Sequence, residues 1–291
     1  MDREVLRDPA VAGYCNEHFV PVRIDVADPK DAALRRRYGI REESPAFLFL
    51  GPDGEELDCE RGYLSREDFL GLLRDIVAGE HFAALRRRAE QGEDGYDFLV
   101  AYGRRLCGRD APEAITVLRR VVELDPEAKR PTTVDAQYRL ARLASGDAAV
   151  EALAAFVAAH PRSPHAVEAH QTLAMLYGTG SVDKAIASFE FLRSHDALDM
   201  PWRKHDYARL LAWNGRDAEL ALALVTDALR AVPDEPRWLD TKAECLSRLR
   251  RYDEAIAAES KAVEKAERLE DRREFERALY EMKKRRAEAD R

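Results

Sequence analysis

The residues of this 291-residue chain that could do chemistry are few and scattered. Its four cysteines, Cys15, Cys59, Cys107 and Cys245, lie far apart, with no C-x-x-C pair and no metal-ligand spacing. Thiol–disulfide exchange needs a low-pKa thiolate and a second thiol to resolve the mixed disulfide, so the thiols read as small apolar residues placed singly on helix and strand faces. The histidines form no H-E-x-x-H or H-x-x-x-H pair, and those of HAVEAH (165–170) fall on different helix faces. Asp25, Asp28 and Asp31 in DVADPKD lack the glycine and closing Glu of a calcium loop and read as a polar strand-to-helix connection. Arg35 to Arg37, Arg86 to Arg88 and the KKRR run at 283–286 read as solvated helix faces, balanced by nearby acids and without an aromatic stacking pattern. No nucleophile–base pair, glycine-rich phosphate loop or Gly-x-Ser-x-Gly elbow appears. The expectation is a chain with no catalytic residue, no cofactor and no metal.

Composition narrows the class. The chain is 46% hydrophobic and 35% charged, with a formal charge of -8, which suits one or two sizeable cores. The acidic balance argues against nucleic-acid or anionic-membrane partners gripped over a broad basic face. No run approaches the ~18 apolar residues of a transmembrane helix, and the start lacks the apolar core of a signal peptide. As given, the chain is expected in the cytoplasm.

Two textures divide it near residue 79. In the first, residues 1–7 read as the back half of an amphipathic helix without an N-cap, and FVPVRIDV (19–26) has the period-two pattern of a strand. DAALRRRYG (31–39) reads as a helix, and FLFLGPDGEELDCERGY (47–63) as a hairpin turned by Asp53-Gly54, both taken to favour left-handed angles. SREDFLGLLRDIVAG (65–79) reads as a Ser-capped helix with Phe69, Leu72, Leu73 and Ile76 on one face, stopped at Gly79.

That order, with Ser44-Pro45 directly before an apolar strand in YGIREESPAFLFLGPDGEE, resembles the thioredoxin-like fold. The resemblance implies an α/β domain over residues 1–79, with Pro45 at the cis-proline position that lines a substrate groove. The family's first, central strand and its C-x-x-C are missing from the chain. Met1 therefore reads as an internal methionine of a longer protein, which could carry the cysteine pair and an export signal to a periplasmic or other compartment. A naturally degenerate domain that borrows a strand or rearranges is the rival reading.

From residue 80 the chain is alanine-rich and self-similar. DAPEAITVLRRVVELDP, GDAAVEALAAFVAAHP, SVDKAIASFEFLRSH, DAELALALVTDALRAVP and RYDEAIAAESKAVEKA align on Ala114, Ala149, Ala185, Ala221 and Ala255, spaced 35, 36, 36 and 34 residues apart. A small residue where two helices cross, an aromatic or aliphatic residue four later and a closing proline (Pro126, Pro161, Pro233) resemble the tetratricopeptide repeat. The first helices, YDFLVAYGRRL, VDAQYRLARLA, AVEAHQTLAMLYG, HDYARLLAWNG and WLDTKAECLSRL, keep little of that family's signature. The resemblance implies an all-α superhelix over 80–291 of about five repeats, whose concave face holds a protein or peptide client. Residues from about 261, with Phe275, Leu279 and Met282 at helical spacing, read as a capping helix. Trp202, Trp213 and Trp238 read as packing residues between helices, the alternative being that one of them lines the groove. The functional expectation is a redox-inactive interaction scaffold, the alternative being a thiol–disulfide oxidoreductase whose cysteine pair lies upstream of Met1.

Overall fold

Most of the chain is helical, because the apolar residues recur at the helical period and the breaks carry caps, glycines or prolines. The structure, a computed structural model, describes residues 5–25, 28–38, 46–62, 64–178 and 180–289. Ser44 and Pro45 lie outside the described residues. The chain divides into two compact units, Met1–Leu143 and Ala144–Arg291, so the texture change near residue 79 falls inside the first.

In the first unit residues 5–7 form a turn where the helix of 1–7 was expected, residues 1–4 lying outside the described residues; α1 is Pro9–His18. The cap is Asp8, whose carboxylate accepts from the Ala10 and Val11 amides while Pro9, at the first helical position, has no N–H to leave unsatisfied. Residues 19–25 form no strand. Val20 and Val22 are 91% and 75% exposed, while the Phe19 ring lies 5.7 Å from that of Phe49 and the Asp25 amide donates to Asp31 at 2.9 Å. Alternation gives a segment two faces but no backbone partner, and Pro21 removes one of the amides a ladder would use.

A 3-10 turn at Pro29–Asp31 leads into α2, Ala32–Arg37. β1 (Ala46–Leu50) and β2 (Glu56–Arg61) pair antiparallel, Phe47 opposite Glu60 and Leu48 opposite Cys59. Among the described residues this two-stranded ribbon is the whole sheet, so a thioredoxin-like domain is not what the structure shows. The turn also differs from the Asp-Gly expectation. It is Gly51-Pro52-Asp53-Gly54, closed by the Gly54 amide on the Gly51 carbonyl at 2.9 Å, and of the central pair assumed for a two-residue turn only Gly54 takes positive φ, at 79°. Pro52 presets the bend at its usual turn position and the ribbon carries an irregularity between Phe49 and Leu50.

α3, Arg66–Val77, follows its pattern: Ser65 caps it by accepting the Asp68 amide, and Phe69, Leu72, Leu73 and Ile76 are buried against Val5, Val11, Phe47 and Phe49. α4 (Phe82–Glu90), α5 (Tyr96–Leu106), α6 (Ala111–Leu124) and α7 (Pro131–Leu143) complete the unit. Gly103 of α5 lets α6 come close: a Cβ there would stand 2.8 Å from Leu118 Cδ2, nearer than real Cβ atoms approach.

The hairpin is tied to these helices by charge. Asp58 is 1% exposed and accepts from Arg109 Nη2 at 2.6 Å, the Cys59 amide at 2.8 Å and the Phe82 amide at 3.1 Å, with Arg105 Nε at 3.4 Å. Arg109 also reaches Glu56 and the Cys59 carbonyl and lies 4.3 Å from the Phe82 ring centre. Each of these donors offsets part of the cost of burying the carboxylate.

The second unit comprises α8 (Gly146–Ala159), α9 (Ala166–Tyr177), α10 (Val182–Ser194), α11 (Pro201–Trp213), α12 (Ala218–Ala231), α13 (Pro236–Arg248), α14 (Tyr252–Lys265) and α15 (Leu269–Ala289). Ala114, Ala149, Ala185, Ala221 and Ala255 are each the fourth residue of a second helix, and all are buried. Pro126, Pro161 and Pro233 each stand two residues past a helix end. The residue four after each alanine is Leu118, Leu153, Phe189, Val225 and then Glu259, so the expected apolar residue fails in the last repeat. α15 begins at Leu269, later than the expected 261, because α14 continues to Lys265 and ends where Ala266 turns extended. Phe275 and Met282 are its buried anchors.

Candidate functional site

Consecutive first helices are tied side by side by polar side chains one repeat apart, and these ties define the face they share. In the first unit the Tyr96 hydroxyl of α5 meets the hydroxyls of Thr132 and Thr133 on α7 at 2.7 Å each, and Arg104 donates to Asp135 at 2.8 Å. In the second, Arg203 of α11 donates to Gln171 of α9 at 2.5 Å, and His205 lies 3.1 Å from the Thr241 hydroxyl of α13 while its ring stacks on Trp238. Arg237 of α13 donates to Asp271 of α15 at 2.6 Å. Each neutral tie is worth about 0.5–1.5 kcal/mol, so the ladder orders the face more than it drives folding.

Other pairs join first to second helices, within a repeat or across to the next. Tyr207 of α11 donates to Glu190 of α10, in the preceding repeat, and burial together with that carboxylate pushes the Tyr207 hydroxyl well above its ordinary range. Lys204 pairs with Asp227 of α12, and the Lys204 ammonium holds that carboxyl below the usual carboxylate range. His170 stacks on Phe191 at 3.9 Å, and burial lowers its pKa.

What these contacts leave open is a stripe on α11. Trp202, Asp206, Arg209 and Trp213 recur at the helical period, and the two indoles are 40% and 47% exposed, contrary to the sequence expectation that both pack between helices. Trp238 does pack in this way. The Arg203 guanidinium sits 5.1 Å from the Trp202 ring centre. On α9, Met175 and Leu176 are also exposed. Two aromatic anchors with one acid and one base between them can bury an apolar side chain and pair with charges of either sign, which is binding chemistry and not bond-making.

Other sequence candidates find different places. Burial pushes up the pKa of Cys15, Cys59, Cys107 and Cys245, the last to about 12, and all four thiols are free. Among the described residues no group of three or more His, Cys, Asp or Glu is placed to hold a metal, and no helix is long and apolar enough to cross a membrane. Ala114, Ala149, Ala185, Ala221 and Ala255 are all buried. The α11 stripe was missed as a site although its four residues are evenly spaced in the sequence; the signal was two tryptophans eleven positions apart on a helix whose other faces already supply the core.

No family model matches the chain, and no curated protein matches it in sequence. Solved structures do. YrrB, described as a tetratricopeptide-repeat protein with an unusual peptide-binding site, superposes with a TM-score of 0.54 at 12% identity, over 67% of this chain and 98% of its own. MamA gives a TM-score of 0.46 at 18% identity, covering 60% of this chain and 92% of its own. At 12% identity the likeness to YrrB is one of fold, and with the helix pairs described above, the chain carries tetratricopeptide-like helical repeats.

Proposed function

We propose that this protein is a scaffold that binds a peptide or protein segment through its helical repeats, with the α11 stripe as an anchor. The observation that carries the proposal is the exposure of Trp202 and Trp213 on one face of a helix whose remaining faces are closed by packing and side-chain ties. Exposed indoles cost solubility and contribute most when a partner covers them. The peptide-binding site ascribed to YrrB supports the same reading. Selection of peptides from a displayed random library by the full chain tests it. Enriched peptides should bind at least ~10-fold more weakly to a Trp202→Ala/Trp213→Ala variant, in line with loss of about 1.4 kcal/mol or more at a buried aromatic anchor. Failure to enrich any peptide, or equal binding by the variant, removes the proposal.

For residues 1–79 the proposal keeps a thioredoxin-like origin, supported by the order of α1, α2, the β1–β2 ribbon and α3, with Phe47 and Phe49 packed toward α3. In this role the segment is a non-catalytic platform. Its own thiols, Cys15 and Cys59, are pushed away from the thiolate that exchange requires. Reduction of a disulfide substrate by the chain alone, abolished by Cys15→Ser or Cys59→Ser, would replace the platform with an enzyme.

A further inference from the structure

The core position four residues after the crossing alanine holds Leu118, Leu153, Phe189 and Val225 in four repeats and Glu259 in the fifth. Glu259 is no less buried than the others, at 0% exposure, and neither of its carboxyl oxygens has a hydrogen-bond partner. An ionised carboxylate in such a place would lack both water and a counter-charge.

Five cations on α13, α14 and α15 are committed elsewhere. Arg237 donates to Asp271, Arg248 pairs with Glu244 at 2.7 Å, and Arg285 donates to Ser247 and stands 3.9 Å from Glu244. On α14 itself, Lys261 and Lys265 both turn to Asp234, at 2.8 and 3.4 Å. The charged groups that face Glu259 are carboxyls: Asp240 and Glu244 from α13 and Glu274 from α15. Asp240 is the immediate neighbour, and Arg237 is the cation that acts on it.

Two adjacent carboxyls can form a hydrogen bond with each other only if one of them carries a proton, since an ionised pair has acceptors and no donor. We propose that Glu259 and Asp240 hold one proton between them at neutral pH, and that losing it loosens α14 from α13 and from the closing helix α15. The step is a simple deprotonation: the O–H of the pair breaks, the proton passes to water, and two negative charges remain inside the last repeat. Burial first and the facing carboxyls second raise both groups above the ordinary carboxylate range. The sign follows. A carboxyl raised by folding contributes most below its unfolded pKa, and that contribution is lost as pH climbs from the ordinary carboxylate range through the folded values.

Hydrogen exchange of the full chain, read peptide by peptide between pH 5.5 and 8.5 and corrected for intrinsic rates, tests this. Protection over residues 252–289 should fall by about tenfold per pH unit, the slope of one proton released on opening, while α6, with Leu118 at the same position, stays level. Glu259→Gln, which keeps the shape and supplies a permanent donor to Asp240, should flatten the slope. Should that variant fail to fold, Asp240→Asn, which removes the facing charge, should reduce the slope. A wild-type profile over 252–289 as flat as that of α6, or a variant slope equal to the wild type's, overturns the proposal.

Discussion

Two buried carboxylates, Asp58 on the hairpin of the first unit and Glu259 in the last repeat of the second, are equally shut off from water, at 1% and 0% exposure, and could hardly be treated more differently. Asp58 is met by Arg109, Arg105 and two backbone amides; Glu259 is met by other carboxyls. The first is an ionic tie, fixing an otherwise two-stranded ribbon to α4 and α5. The second takes an apolar residue's place and is at ease only when neutral. Burial alone therefore says nothing about the charge a group carries; the donors around it decide.

The sharpest way to break this comparison is to neutralise each group by the same isosteric change. Asp58→Asn should destabilise the first unit by about 3 kcal/mol at pH 7, because the half-buried Arg105 and Arg109 lose their buried counter-charge and keep only the exposed Asp75 and Glu56; urea unfolding followed by a reporter in that unit measures it. No loss there would mean the arginines find Glu56 and Asp75 sufficient. Next in size, Leu153→Ala, at the position Glu259 occupies in its own repeat, should cost the second unit about 2–5 kcal/mol by leaving a cavity, visible as a lower thermal midpoint. Glu259→Gln should raise the midpoint of the second unit above pH 8, with a gain that shrinks toward pH 5 where the native carboxyl is already neutral. A gain equal at both pH values would show that shape, not charge, was relieved. Smaller still, Ser65→Ala should cost about 1 kcal/mol by removing the cap of α3, again by urea unfolding. Trp213→Ala, on the exposed stripe, should move stability by less than about 0.5 kcal/mol while weakening peptide binding.

The helix pairs were legible in the sequence because a helix satisfies its own backbone. The 3.6-residue pattern in DAPEAITVLRRVVELDP needs no distant partner to become α6, and its closing proline marks where it stops. Residues 19–25 show the opposite case. Their alternation is as regular as a strand's, yet a strand exists only where a neighbour offers its amides and carbonyls, and that information is not local. The cap of α1 was readable in Asp8-Pro9 but hidden by the apolar pair Val5-Leu6 just before it. Of the candidate site, the crossing alanines were found through their spacing, whereas the exposure of Trp202 and Trp213 depends on which faces neighbouring helices cover. Glu259 stood in plain alignment with Leu118, Leu153, Phe189 and Val225, but the carboxyls that face it come from other helices, so its surroundings are a property of three helices at once.

The placement of each crossing alanine as the fourth residue of its helix has a consequence for how such a chain can change in length. Ala185 and Ala221 are 36 residues apart and sit at identical points of α10 and α12, so excising the stretch between them joins like to like and shortens the stack by one whole pair. Cutting out half that stretch would set a first helix where a second belongs and bring its exposed face into the core. Growth and loss in the repeats are thus quantised, and the natural step is the helix pair.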